Sequence, residues 1–251
     1  MTVALDFQAL DEARAQLDAL RPLAGAQVLT LGEAWDVEMV YESNRIEGNS
    51  LTLRETEMVV ARGMTIAGKP LKDHLEAVNL MAAWRRLLAL ATPRGSVTEA
   101  ETLELHSIVM ARISDEEAGR YRRGFVRIAG ARHVPPNAAK VPELMTELFS
   151  VGVTGHAVAQ AARLHHGLAS IHPFSDGNGR TARLVMNLTL LRGGYPPVSL
   201  SPDSRATYYA ALEAADRGDE AAFAAFIGQA VLSEIERWLA ALSEHPPAPR
   251  S

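Results

Sequence analysis

Along most of the 251-residue chain, apolar residues return every three or four positions with polar residues between them. Leu10, Ala13, Leu17 and Leu20 form one such stripe, Leu75, Val78, Leu80, Met81 and Leu87 another, and Leu184, Leu188 and Leu191 a third. That period matches the turn of an α-helix and predicts a mostly α fold. Start and stop signals agree with it. Thr52-Leu-Arg-Glu55 and Thr98-Glu-Ala-Glu101 each match a capping box, in which a hydroxyl and a carboxylate satisfy free amides of the first turn. Gly48 and Gly193-Gly194 stand where amphipathic segments end.

One stretch breaks the helical period. YRRGFVRIAGARHV, residues 121 to 134, alternates and carries β-branched residues around Ala129-Gly130 before Pro135-Pro136, which predicts a short β-hairpin ended by prolines at about 121–136. A lone hairpin has to lie on the helices to be stable.

Composition changes this picture only by exclusion. With 47% hydrophobic and 22% charged residues and no Gly/Ser- or Pro-rich tract in its middle, the chain reads as one continuous globular body; only the tail HPPAPRS reads as disordered. A net charge of -5 gives no bulk attraction to nucleic acid or to an anionic membrane, so any phosphate binding must be local. The absence of cysteine excludes disulfides and thiolate metal sites and fits a reducing compartment. No apolar run approaches the roughly 20 residues of a membrane span, and the N-terminus has acids where a signal peptide needs a basic start, so a cytoplasmic protein is expected.

Candidate chemistry concentrates in IHPFSDGNGRTARL, residues 171 to 184, between a helix read over 157–170 and another over 184–191. Gly177 and Gly179 permit backbone angles closed to other residues, so the chain can turn tightly with its amides pointing inward at an anion. The helix that follows adds free N–H groups and the positive end of its dipole. Arg180 and Arg183 are three apart and share a face near that N-terminus, where like charge is unfavourable, so they call for an anionic partner. Asp176 would repel a bare polyphosphate but suits a divalent cation, Mg2+ or Mn2+, bridging phosphate oxygens. His172 has the near-neutral pKa needed to take a proton from an attacking hydroxyl, and Pro173 and Phe174 read as packing residues that aim it. Together these point to a nucleoside triphosphate site.

Taken whole, His172-Pro-Phe-x-Asp176-Gly-Asn-Gly-Arg180-x-x-Arg183 resembles the signature of the Fic family at every defining position, and the likeness extends over roughly 41 to 235. The resemblance implies a compact helical bundle with one β-hairpin flap over the active site. It also implies an adenylyltransferase that moves AMP from ATP to a Ser, Thr or Tyr hydroxyl of a protein and releases pyrophosphate. By it His172 is the general base and Asp176 the magnesium ligand. Gly177, Asn178 and Gly179 hold the phosphates, Arg180 and Arg183 neutralise the β- and γ-phosphates, and Tyr208 lies against the adenine. Val126, Arg127 and Ile128 are the flap residues that would pair with a target's backbone by strand addition. Asp216 stands where many relatives have asparagine. ATP and a protein target that the sequence does not name are the implied partners, and because relatives often form dimers, a homodimer is implied as well.

Ser43-Asn-Arg-Ile-Glu47-Gly48 resembles the family's inhibitory pattern. Ser43 and Glu47 are four apart on one helix face, and Gly48 ends the helix, so Glu47 projects from its end. A Glu47 carboxylate reaching Arg183 would take the place of the γ-phosphate. The expected organisation is a helical extension over 1–40, a core over 41–235 holding the inhibitory helix at about 32–48 and the flap at about 121–136, and a helix end with a disordered tail over 236–251.

Other signals are weaker. His165, His166 and His172 lack an H-E-x-x-H arrangement, which disfavours zinc, and no G-x-x-x-x-G-K-[ST] stretch marks a P-loop. Arg120, Arg122, Arg123 and Arg127, without clustered aromatics or overall basic charge, read as a local patch for target acids or phosphate rather than an RNA site. The rival readings are a de-AMPylating hydrolase, a transferase of another phosphate-containing group, and a nucleotide-binding regulatory module without turnover.

Overall fold

The computed structural model describes residues 5–20, 26–92, 95–128, 133–152 and 155–244. Ten α-helices run through them: α1 (Phe7–Asp18), α2 (Ala26–Ile46), α3 (Leu53–Arg62), α4 (Leu71–Leu90), α5 (Glu99–Met110), α6 (Val141–Ser150), α7 (Ala157–Ile171), α8 (Asn178–Arg192), α9 (Arg205–Asp216) and α10 (Glu220–Glu244). Both capping boxes form: Thr52 Oγ1 accepts the Glu55 amide at 3.2 Å while Glu55 accepts the Thr52 amide at 2.8 Å, and Thr98 with Glu101 repeats the arrangement at the head of α5. No helix among the described residues is long and apolar enough to cross a membrane.

Helix α8 is the axis of the molecule and is buried on all sides, as a helix enclosed by its neighbours must be. Val185 and Leu188 face a core shared with α2 to α7, containing Val40, Trp84, Leu105 and Leu168. Met186 and Leu190 face a second core shared with α1, α7, α9 and α10, containing Leu10, Val158, Tyr208 and Ile227. Helix α7 packs along α8 over most of its length, and the turn joining them carries the 171–184 motif. The apolar stripe of the sequence starts at Leu184, but α8 begins at Asn178, so both motif arginines lie inside the helix.

The expected hairpin is not formed. Residues 121–128 and 133–136 contain no strand; its expected turn at Ala129-Gly130 lies outside the described residues. The cause is Arg122, which was expected in a local patch for target acids or phosphate but is buried at 4% exposure. Its guanidinium donates to the carbonyls of Gly124 (3.0 Å), Pro136 (2.6 Å) and His172 (2.8 Å), drawing the flap's carbonyls onto one side chain instead of into a ladder. Pro135 and Pro136 have no N–H to give one.

Candidate active site

The motif turn is shaped first by its own side chains. Asn178 Oδ1 accepts the Phe174 amide at 2.9 Å and Asn178 Nδ2 donates to the Phe174 carbonyl at 2.8 Å, closing a loop of five residues. Asn178 is thereby buried, its side-chain amide wholly taken up by Phe174. Gly177 precedes α8 with φ of 77°, a left-handed angle, and a β-carbon there would sit 3.0 Å from Met110 Sδ and 3.4 Å from the His106 ring. The amides opening α8 lack partners within the helix, and the dipole adds positive potential at the same point.

His106 on α5 supports the turn from below, a role no sequence signal revealed. Its Nδ1 accepts the Gly119 amide at 3.0 Å, which leaves Nε2–H to donate to the Asp176 carbonyl at 3.1 Å, and its ring stacks on buried Phe174 at 3.6 Å. Burial pushes the His106 imidazole down to about 4, so it stays neutral.

His172 ends α7 with φ of 50°, left-handed in a residue other than glycine. Its amide donates to Leu168 O, and Arg122 holds its carbonyl. Its Nδ1 lies 3.3 Å from the Ala169 carbonyl, an obligate acceptor, so Nδ1 carries the proton of the neutral ring and Nε2 keeps the lone pair of a base. Burial lowers its pKa below the ordinary histidine value of 6.5.

Two cavities meet at His172. One, of about 300 Å³, is bounded by Asp176, Gly177, Gly179 and Arg180, the anion end. The other, of about 270 Å³, is bounded by Tyr208, Tyr209, Leu212 and Asp216. His172, Glu47, Ile128, Gly179, Arg205 and Tyr209 border both. Of the three flap candidates, Ile128 reaches both cavities, Arg127 the anion end, and Val126 a neighbouring hollow beside Arg123 and Phe125. Tyr208 is 2% exposed and its hydroxyl lies 3.2 Å from His165 Nε2, so the more open aromatic wall is Tyr209, under the Arg205 guanidinium at 5.0 Å. The Tyr-Tyr doublet was the available signal for Tyr209. Asp216 Oδ1 accepts from Ser170 Oγ (2.6 Å) and His166 Nε2 (2.9 Å).

Both arginines of the motif are already paired. Arg183 Nη2 donates to Glu47 Oε1 at 2.7 Å and to Ser43 O at 2.9 Å, and its Nε donates to Ser43 Oγ at 2.8 Å. Glu47 follows the last residue of α2 and lies over Gly179, where a β-carbon would stand 2.1 Å from Oε1. Arg180, at 2% exposure, lies 3.2 Å from Asp176 Oδ1 and 3.1 Å from Glu76 Oε1. Burial by itself would raise the Asp176 carboxyl, but Arg180, the Gly177 amide and Lys72 bring it below the usual aspartate value. Lys72 and Glu76 were missed; their i, i+4 spacing on α4 was the visible trace, but not the partner.

The helical scaffold thus closes a turn of free amides beneath a neutral imidazole. Residues 96–190 match the Fic/DOC family. The fold superposes on Fic-1 of C. elegans (amino acids 134–508) with a TM-score of 0.82 and 31% identity, over 93% of this chain and 70% of that one. The chain belongs to the Fic family. It is 36% identical over 248 residues, 96% of its length, to a protein named protein adenylyltransferase Fic from Aedes aegypti. A namesake in Drosophila yakuba is 35% identical over 245 residues. The chain spans about half, 49%, of the length of these curated relatives. A Fic-domain signalling protein of Bacteroides thetaiotaomicron shares the fold at a TM-score of 0.83 and 23% identity, with 97% of this chain and all of that one covered.

Proposed function

We propose that the chain is a protein adenylyltransferase that joins the AMP of ATP to a hydroxyl side chain of a protein and is held back by Glu47. The observation that carries this reading is the position of His172 where an anion-binding cavity meets an aromatic one. A triphosphate at Gly177–Gly179 with its base toward Tyr208 and Tyr209 brings the α-phosphorus to the junction. A target hydroxyl oxygen then bonds to that phosphorus, the bond to pyrophosphate breaks, and His172 Nε2 accepts the hydroxyl proton. Most of the acceleration comes from alignment and from cationic and amide groups meeting the phosphate charge. The relatives' shared name, protein adenylyltransferase Fic, supports the same chemistry.

Asp176 fits a divalent cation. It is a half-exposed carboxylate on the rim of the anion cavity, and its Oδ2 already holds a cationic group, the Lys72 ammonium at 3.1 Å. One carboxylate plus substrate phosphates is an ordinary set for Mg2+ or Mn2+, which when bound supplies positive charge to the phosphate oxygens. Glu47 occupies the Nη2 donor of Arg183 that would otherwise meet a γ-phosphate, which supports autoinhibition.

The test compares the protein and Glu47→Gly with Mg2+ and ATP labelled on the α- or the γ-phosphate, using self-modification in place of the target. Protein-bound label from α-labelled ATP alone, stronger in Glu47→Gly, is expected. Label from the γ-position means phosphorylation and overturns the mechanism, and no label from either, despite ATP binding, returns the site to a hydrolytic or purely binding role.

A further inference from the structure

Four side chains of alternating charge close a ring at the edge of the anion cavity. Lys72 Nζ lies 3.1 Å from Asp176 Oδ2, Asp176 Oδ1 3.2 Å from Arg180, Arg180 3.1 Å from Glu76 Oε1, and Glu76 Oε1 3.6 Å from Lys72 Nζ. The ring's members differ in freedom. The Arg180 and Glu76 side chains are 2% and 9% exposed, and Glu76 Oε2 also accepts from Asn49 Nδ2 at 3.0 Å, so both are fixed. The Lys72 side chain is 56% exposed on a four-carbon stem, and Asp176 is 44% exposed. Lys72–Asp176 is therefore the one contact of the ring in which both side chains are free to move.

Asp176 Oδ1 is engaged by the Gly177 amide at 2.6 Å and by Arg180, so Oδ2 is the oxygen left for an incoming cation, and Lys72 sits on it. We propose that Lys72 is a built-in stand-in for the divalent cation: its ammonium holds Asp176 Oδ2 in the resting protein and swings onto Glu76 when a metal ion takes that oxygen. Glu76 makes the exchange workable, because the displaced ammonium keeps a carboxylate partner one helical turn away on α4. The resting site thus carries two internal mimics, a carboxylate on Arg183 where phosphate would bind and an ammonium on Asp176 where metal would bind. The proposal rests on reading Asp176 as the cation-holding carboxylate, but not on AMP transfer.

Mn2+ alone, followed by water-proton relaxation enhancement without nucleotide or target, tests it on the full chain. Lys72→Met is expected to bind one Mn2+ about two- to fivefold more tightly than the unchanged protein, the size of a half-exposed ion pair removed from competition. Adding Asp176→Asn is expected to abolish that gain. Lys72→Gln serves as a second neutral variant should the methionine disturb folding. Equal or weaker binding in the neutral variants, no Mn2+ binding in any of them, or a gain that survives Asp176→Asn overturns the proposal. Because nothing turns over in this experiment, a failure of AMP transfer and a failure of this inference give separate results.

Discussion

Two irregular segments border the cleft and hold their shape by different means. The motif turn is stitched within itself, by Asn178 to both backbone groups of Phe174 and by Asp176 to the Gly177 amide. The crossing segments 121–128 and 133–136 share no backbone–backbone hydrogen bond among the described residues and depend on the Arg122 guanidinium, which also grips the carbonyl of His172. Bonds between residues four apart belong to a local stretch of sequence, whereas a segment shaped by one buried cation depends on contacts made elsewhere in the fold.

The largest effect should come from the turn. In the Glu47→Gly background, His172→Ala is expected to lower labelled transfer by about 10²- to 10⁴-fold while ATP binding measured by calorimetry persists. The same histidine sets a pH limit. Its base form is required and burial lowers its pKa, so the acidic limb of the rate profile should have its midpoint below the ordinary value of 6.5.

Arg122→Met should destabilise the protein by about 2 kcal/mol in chemical denaturation, because it strands part-buried carbonyls that had charged donors. Amide exchange should then quicken in both segments, since Arg122 spans them. If only 121–128 loosens, the turn needs no help from that segment.

His106 tests the support beneath the turn. Its folded pKa of about 4 lies below the unfolded value of 6.5, so the unfolded chain takes up the proton first as pH falls. Its contribution is therefore complete above 6.5 and shrinks as pH drops toward the folded value. Between about pH 7 and about pH 4.5 the protein should lose about 2 kcal/mol more stability than His106→Gln, read from denaturation curves. The smallest effect belongs to the outer edge of the 121–128 segment. Phe125 is 71% exposed, and Phe125→Ser should shift stability by less than about 0.5 kcal/mol.

These contrasts follow what was legible in the sequence. The capping boxes at Thr52 and Thr98 and the stop at Gly193 are local chemistry, and they set the observed ends of α3, α5 and α8. The 171–183 turn was legible for the same reason. Glu47 facing Arg183 was foreseen only because both belong to patterns with a known resemblance. Lys72, Glu76 and His106 reach the turn from α4 and α5 across long stretches of chain, and no periodicity encodes such a meeting. Arg122 misled because an arginine among arginines reads as part of a patch for acids or phosphate, while here each of its nitrogens donates to a backbone carbonyl.

Gly179 carries a consequence for how this protein can change over generations. Any side chain at that position would collide with the Glu47 carboxylate at 2.1 Å and crowd Arg183 Nη1 at 3.1 Å, in the turn where phosphate would bind. On the proposed function, a mutation at codon 179 would displace Glu47 and crowd the phosphate turn in one stroke, leaving no gain for selection to keep. Shortening residue 47 removes the carboxylate and leaves the turn intact. If Glu47 restrains the site as proposed, the inherited path to an unrestrained protein runs through codon 47 rather than codon 179.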